Sequence, residues 1–163
     1  MDLEKVHLTD IPTFRRIVEA YWQEVMPHSD VVKHPDRREA YFREWFPWTG
    51  GNRRPYWAVV SGRHVGFVAY AVDEAKKSAS IDDFYVVPEE RRQGHGAAMV
   101  QAIYAHLDRL GVELVELNVR RDTPQALAFW EAQGFRIALY RMRQYRDPQT
   151  GKAYIGALSS DFA

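Results

Sequence analysis

Arg91-Arg92-Gln93-Gly94-His95-Gly96-Ala97-Ala98 separates an apolar run ending in Val86-Val87-Pro88 from an amphipathic stretch that continues to Gly111. Two glycines one residue apart let the backbone come close to a ligand and free the N–H groups that open the next helix. With the positive end of the helix dipole, those N–H groups form an anion site that suits a pyrophosphate. Arg91 and Arg92 add positive charge at the same place. The plainer alternative is a tight turn that caps a helix, with both arginines solvated.

The flanking segments set this loop in a fold. Downstream, Val100, Ile103, Tyr104, Leu107 and Leu110 recur at helical spacing and stop at Gly111. Upstream, Tyr56–Val60, His64–Val72 and Ser78–Val87 read as three extended runs. Ser61-Gly62-Arg63 makes a hairpin between the first two, and the charged Asp73–Lys77 link leads to the third, so an antiparallel meander is expected. Nearer the N-terminus, Val6–Leu8 suggests a short strand. Thr9 or Asp10 then caps a helix with Pro12 in its first turn, reaching about Met26. Pro27 to Pro35 reads as a loop that holds His28 and His34. Asp36 caps a second helix, whose Tyr41, Phe42, Trp45 and Phe46 stop at Pro47. These aromatics and Tyr21 and Trp22 could line a substrate cleft, although helical spacing favours core packing.

Beyond the central helix, Glu113–Val119 is a strand candidate, and Asp122 or Thr123 caps a helix with Pro124 in its first turn that runs to Gly134. Phe135–Tyr145 reads as a long strand. Asp147-Pro148-Gln149-Thr150-Gly151 turns it toward a last strand at Ala153–Leu158, with Arg141, Arg143 and Arg146 on a solvated face. The expected class is α/β (α+β): a mixed, mostly antiparallel sheet of about seven strands with helices on both faces. Its parallel pair should flank the glycine loop and its helix.

Length and composition narrow the functions available. At 163 residues, 46% apolar and 27% charged, the chain should form one domain over residues 1–163. Twenty-two basic and 22 acidic side chains cancel, which argues against a nucleic-acid partner. The sequence has no cysteine, so disulfides, thiolate metal sites and a thiol nucleophile are excluded. Six histidines are scattered without metal-binding spacing, and no metal is expected. Met1-Asp2-Leu3-Glu4-Lys5 does not resemble a secretion signal, and no apolar run approaches the roughly 18 residues that span a bilayer. A cytoplasmic protein without a membrane partner is therefore expected.

Two familiar phosphate-binding readings fail. A Walker A loop needs Gly-Lys-Ser/Thr, which the chain lacks. A dinucleotide fingerprint needs a third glycine where Met99 stands, and its glycines directly after a strand; here Pro88–Gln93 intervenes. By contrast, Val86-x-Pro88-x-x-Arg91-x-x-Gly94-x-Gly96 resembles the acetyl-coenzyme A signature of the GNAT N-acetyltransferase family. Ala126-x-x-Phe129-Trp130-x-x-x-Gly134-Phe135 resembles that family's later helix-to-strand motif, and the two motifs together cover roughly residues 55–140.

The resemblance implies a splayed sheet whose fourth strand and following loop bind acetyl-CoA. Arg91, Arg92, Gln93, Gly94, His95, Gly96 and Ala97 would surround the pyrophosphate, largely through backbone N–H groups. His95 falls at a variable position of the motif and reads as a solvent-facing loop residue. Phe84, Tyr85 and Val86 would offer strand-edge groups to the peptide-like pantetheine arm. Thr123, where many members have asparagine, and Trp130, where many have tyrosine, complete the expected cofactor contacts. An indole N–H donates a hydrogen bond but gives up no proton near neutral pH. Either another group or water protonates the departing thiolate, with Tyr85 and Tyr140 in the right region of sequence, or Trp130 only packs.

Transfer to an amine also needs a base, because a free alkylamine has a pKa near about 10.4. Asp82 and Asp83 are adjacent carboxylates in an apolar strand, and strand alternation would send them to opposite faces. Polyamine-type members carry a glutamate at the place of Asp82, which makes Asp82 the first candidate base, through water, and Asp83 the second. Both could instead serve structural ion pairs. The expected activity is acetyl transfer to a primary amine of a small molecule or peptide, by direct attack in a ternary complex. The alternatives are a non-catalytic acyl-CoA sensor and a domain acting on tRNA-bound amines. The resemblance also makes a homodimer possible.

Overall fold

A computed structural model describes residues 1–27, 29–140 and 149–150. Five strands lie side by side in chain order: β1 (Asp2–Lys5), β2 (Arg54–Val60), β3 (Arg63–Asp73), β4 (Ser78–Val86) and β5 (Leu114–Leu117). The first four are antiparallel, and β4 pairs with β5 in parallel. That parallel pair is joined by the glycine loop and helix α4 (His95–Arg109), as the crossover reading requires. The other helices are α1 (Ile11–Val25), α2 (Asp30–Lys33), α3 (Pro35–Arg43) and α5 (Pro124–Ala132).

Alternation along β2 shows how the sheet is covered on both sides. Trp57 and Val59 face one core with Phe14, Val18 and Trp22 of α1 and Phe42 of α3. Tyr56 and Ala58 face the other, with Met99, Val100, Ile103 and Leu107 of α4 and Trp130 of α5. Phe14 centres the first core, its ring 5.0 Å from Trp57 at 90° and 5.3 Å from Phe67. Trp22, Phe42, Trp45 and Phe46 are buried there, so they pack the core.

Several elements differ from the sequence reading. The first strand is Asp2–Lys5, not Val6–Leu8: its pairing with Tyr56–Val59 comes from backbone groups that a polar sequence does not advertise, and Leu8 is exposed. The Pro27–Pro35 loop contains α2, opened by Ser29, whose hydroxyl accepts from the Val32 N–H at 3.3 Å. Helix α3 begins at Pro35 with His34 at its cap, and Asp36 lies in its first turn. The strand expected at Glu113–Val119 is confined to Leu114–Leu117.

Five strands, not about seven, are present among the described residues. Phe135–Tyr140 joins no strand. The rest of the expected Phe135–Tyr145 strand, Arg141, Arg143 and Arg146, the Ala153–Leu158 strand and His28 lie outside the described residues.

At Gly66 β3 lies too close to β4 to admit a side chain. A Cβ added there would lie 2.0 Å from the Tyr85 carbonyl oxygen, a backbone atom that cannot step aside alone. Gly66→Ala is therefore expected to cost more than about 3 kcal/mol, read by urea unfolding, because the overlap must separate two paired strands.

Candidate active site

The glycine loop is built as an anion cradle. Arg92 (φ 62°) and Gly94 (φ 83°) both take the left-handed conformation, which for an arginine is an unusual strain that clusters at ligand clamps. Gly94 caps α4 with no side chain, and the helix's first bond runs from the Ala98 N–H to the Gly94 carbonyl at 3.1 Å. The N–H groups of His95, Gly96 and Ala97 thus precede the hydrogen-bond ladder, at the positive end of a 15-residue helix. Gly96 lies against α5, where an added Cβ would come within 3.1 Å of the Phe129 ring. The Gln93 side chain donates to the Glu89 carbonyl at 3.1 Å.

His95 does not face solvent as its loop position suggested. As the first residue of α4 its side chain is only 16% exposed, with Nε2 3.3 Å from Glu90 Oε2. The other Glu90 oxygen accepts from Arg63 at 2.9 Å, tying the loop to the β2–β3 hairpin.

Strand β4 changes character at Asp82. Ile81 pairs with Tyr70 and Asp83 with Ala69, so Asp82 is the extra residue of a β-bulge. The bulge switches the faces: Ala79 and Ile81 join the α4–α5 core, whereas Tyr85 joins the α1–α3 core. Pairing with β5 ends at Ile81 as well, leaving the β5-facing edge of residues 82–86 without a strand partner among the described residues. A splayed edge and a re-aimed side chain thus coincide at one residue.

The bulge also overturns the expectation that Asp82 and Asp83 point to opposite faces. Both reach Arg53, whose Nε is 3.5 Å from Asp82 Oδ2 and whose Nη1 is 3.0 Å from Asp83 Oδ2. Their surroundings differ. Asp82 keeps a quarter of its side chain exposed and accepts from the Ser80 hydroxyl at 2.7 Å. Asp83 is 4% exposed, and Tyr21 also donates to it. Burial pushes the Asp83 carboxyl up to about 6 and nearby Asp82 adds to the rise, against the opposing pull of Arg53 and Tyr21.

Because Asp83 is raised from 3.8 when folded, the native state binds the extra proton between those values. Its contribution to stability must therefore fall as pH rises from about 4 to about 6, opposite to an ordinary ion-paired aspartate. Asp83→Asn should remove that slope, seen as a variant-minus-native stability difference that grows across this window in pH-dependent denaturation.

Arg53, Ser80 and Glu24 carry no sequence signal, and Tyr21 on α1 and Tyr41 on α3 stand out only as helix-spaced aromatics, since no motif links residues so far apart in the chain. Glu24 Oε2 accepts from the Tyr85 hydroxyl at 3.1 Å and from Arg91 at 2.8 Å, while Arg91 Nε donates to the Val86 carbonyl at 2.9 Å. The hydrogen bond from Arg91 holds the Glu24 carboxyl below its usual range. Burial, then the Glu24 charge, pushes the Tyr85 hydroxyl up to about 12. Tyr140 is 85% exposed.

Trp130 is buried among Phe84, Phe129 and Phe135, with ring centroids 4.9, 5.0 and 5.3 Å away. Thr123 caps α5 by position, and its hydroxyl donates to the Arg120 carbonyl at 2.8 Å. Among the described residues no group of His, Asp or Glu is placed to hold a metal, and no helix is long and apolar enough to cross a membrane.

Comparison with known proteins identifies the family. Residues 14–135 match the acetyltransferase (GNAT) family, and the chain belongs to it. The ribosomal protein bS18-alanine N-acetyltransferase of Escherichia coli is 33% identical over 67 residues, 41% of this chain and 45% of that protein. The chain thus aligns with less than half the length of that relative. An uncharacterized N-acetyltransferase of Archaeoglobus fulgidus is 25% identical over 144 residues, 83% of this chain and 93% of the relative. Among solved structures, the PaiA N-acetyltransferase of Thermoplasma acidophilum in complex with coenzyme A shares the fold. Its TM-score is 0.69 at 16% identity, covering 86% of this chain and 92% of that one.

Acetyl-CoA is the family's acyl donor. The residues present fit it in two ways: uncapped N–H groups at α4 suit its phosphates, and the β4 edge at residues 82–86, unpaired among the described residues, suits its amide-bearing arm.

Proposed function

We propose that this protein transfers an acetyl group from acetyl-CoA to a primary amine of a small molecule or peptide, by direct attack in a ternary complex. The observation that carries the reading is the coincidence at Asp82 of the β4 bulge, the end of β5 pairing and a partly exposed carboxylate, on the strand that leads into the glycine loop.

Acetyl-CoA, when bound, supplies a thioester whose carbonyl carbon the amine attacks. Arg92, Gln93, Gly94, His95, Gly96 and Ala97 hold its phosphates through backbone N–H groups, with Arg91 adding charge and bracing the loop against Glu24. Phe84, Tyr85 and Val86 present backbone groups to the pantetheine arm. A β4 N–H polarises the carbonyl as an oxyanion site does. Asp82 takes a proton from the arriving ammonium, through water; the neutral amine then attacks, and its second proton passes to water as the C–N bond forms and the C–S bond breaks. Asp83 is too enclosed to meet the amine and serves as a buried counter-charge. Thr123 and Trp130 shape the cofactor side of the cleft by capping and packing α5. A proton from solvent neutralises the thiolate, since the Tyr85 hydroxyl already serves Glu24.

Calorimetry with acetyl-CoA, followed by free-thiol release against a panel of primary amines, tests this reading. Binding with amine-dependent thiol release is expected. Tight binding with no release from any primary amine would favour an acyl-CoA sensor, and absence of binding would reduce the loop to a helix cap.

A further inference from the structure

Arg53 lies just before β2 and reaches β4, where its guanidinium is held on every side. Its two terminal nitrogens each donate to the Tyr41 hydroxyl at 3.3 Å, and Nη1 also donates to Asp83 at 3.0 Å. Its plane lies over the rings of Tyr41 and Trp45, with centroids 5.1 and 5.4 Å from the guanidinium carbon. Only the Nε edge points at Asp82, whose other oxygen is held by Ser80. The groups converging here are therefore Tyr21 from α1, Tyr41 from α3, Arg53, and Ser80, Asp82 and Asp83 from β4.

A rigid fork with donors on two edges can serve both carboxylates at once, which a lysine ammonium on a flexible stem cannot do in the same geometry. Two carboxylates against one guanidinium also leave one negative charge in the cluster, and burial decides which group carries it. Asp83 is enclosed by Tyr21 and the aromatic core, and burial raises its carboxyl, whereas Asp82 keeps a quarter of its side chain exposed.

We propose that Arg53 is a positioning residue for acyl transfer: it sorts the adjacent carboxylates, anchoring Asp83 inside and holding Asp82 at the cleft as the proton acceptor. This rests on the assignment of Asp82 as base. It adds a residue from outside β4, two strands away in the sheet, whose loss would act on the proton transfer without touching the donor site.

The experiment uses Asp83→Asn as its background, because Arg53→Gln alone would strand a buried carboxylate and endanger the fold. In that background Arg53→Gln should lower kcat by about 10- to 100-fold, the scale of a misplaced reacting group, with donor affinity in calorimetry unchanged. The deficit should shrink as pH approaches that of the free amine, since a neutral amine no longer needs the base. Arg53→Lys should restore only part of kcat.

A double variant as active as Asp83→Asn alone would overturn the proposal and make Arg53 a structural partner of Asp83. So would a deficit equal at all pH values, or full rescue by lysine. Asp82→Asn measured alongside separates the two claims: full activity in that variant sinks the base assignment itself.

Discussion

Asp82→Asn is expected to lower kcat by about 10²- to 10⁴-fold, the range that general-base removal spans, while leaving acetyl-CoA affinity unchanged. The substitution is nearly isosteric and keeps an oxygen for the Ser80 hydroxyl that now reaches Asp82 Oδ1 at 2.7 Å. What it removes is the negative charge beside Arg53 and the capacity to accept a proton. The amine arrives mostly as ammonium at neutral pH, so the loss should be greatest there and should narrow as pH rises toward about 10. A pH series of kcat for native and variant enzyme reads this directly. Equal rates at pH 7, or a deficit independent of pH, would remove Asp82 from the proton path. Asp83→Asn should behave differently: it relieves a buried charge, so its main readout is the pH dependence of stability, with a smaller effect on turnover.

The contrast between these two neighbours shows where sequence stops being informative. Glycine spacing, the hairpin at Ser61–Arg63 and the helical face of Val100, Ile103 and Leu107 are local patterns, and each names an element within a residue or two of its place. The bulge is different. Asp82 becomes the extra residue only because Tyr70 pairs with Ile81 and Ala69 with Asp83, a register set across strands. Simple alternation therefore placed the two carboxylates apart, whereas the folded sheet brings both to Arg53. Short polar elements were lost for a related reason. β1 is Asp-Leu-Glu-Lys and is held by pairing with β2, not by an apolar face of its own.

Side chains that act through partners far along the chain were equally silent. Arg53 and Asp83 are thirty residues apart, and Glu24 and Arg91 sixty-seven. His95 shows the same limit in reverse. Its motif position is variable, which suggested exposure, yet the turn at Pro88–Glu90 folds Glu90 back onto it. Trp130 is clearer in the fold than in the sequence. Its ring is enclosed by three aromatics, which matches packing and offers the leaving thiolate no acidic hydroxyl.

Ala97→Asp should separate the fate of the fold from that of the donor site more cleanly than any change at the glycines. Gly94 is left-handed, so any side chain there is strained, and an aspartate at Gly96 would press its Cβ on Phe129. Ala97 is exposed in the first turn of α4. A carboxylate at that position faces the positive end of the helix and should stabilise it by about 0.3–1 kcal/mol. The same carboxylate stands where the phosphates would gather, and two like charges about 4 Å apart near a protein surface repel by up to about 4 kcal/mol. Affinity for acetyl-CoA should therefore fall by about 30- to 1,000-fold while the melting temperature holds or rises. These opposite signs are the test, because damage to the fold would lower both. If affinity survives a carboxylate at the mouth of α4, the phosphates are not bound there, and the glycine loop must be read as a helix cap after all.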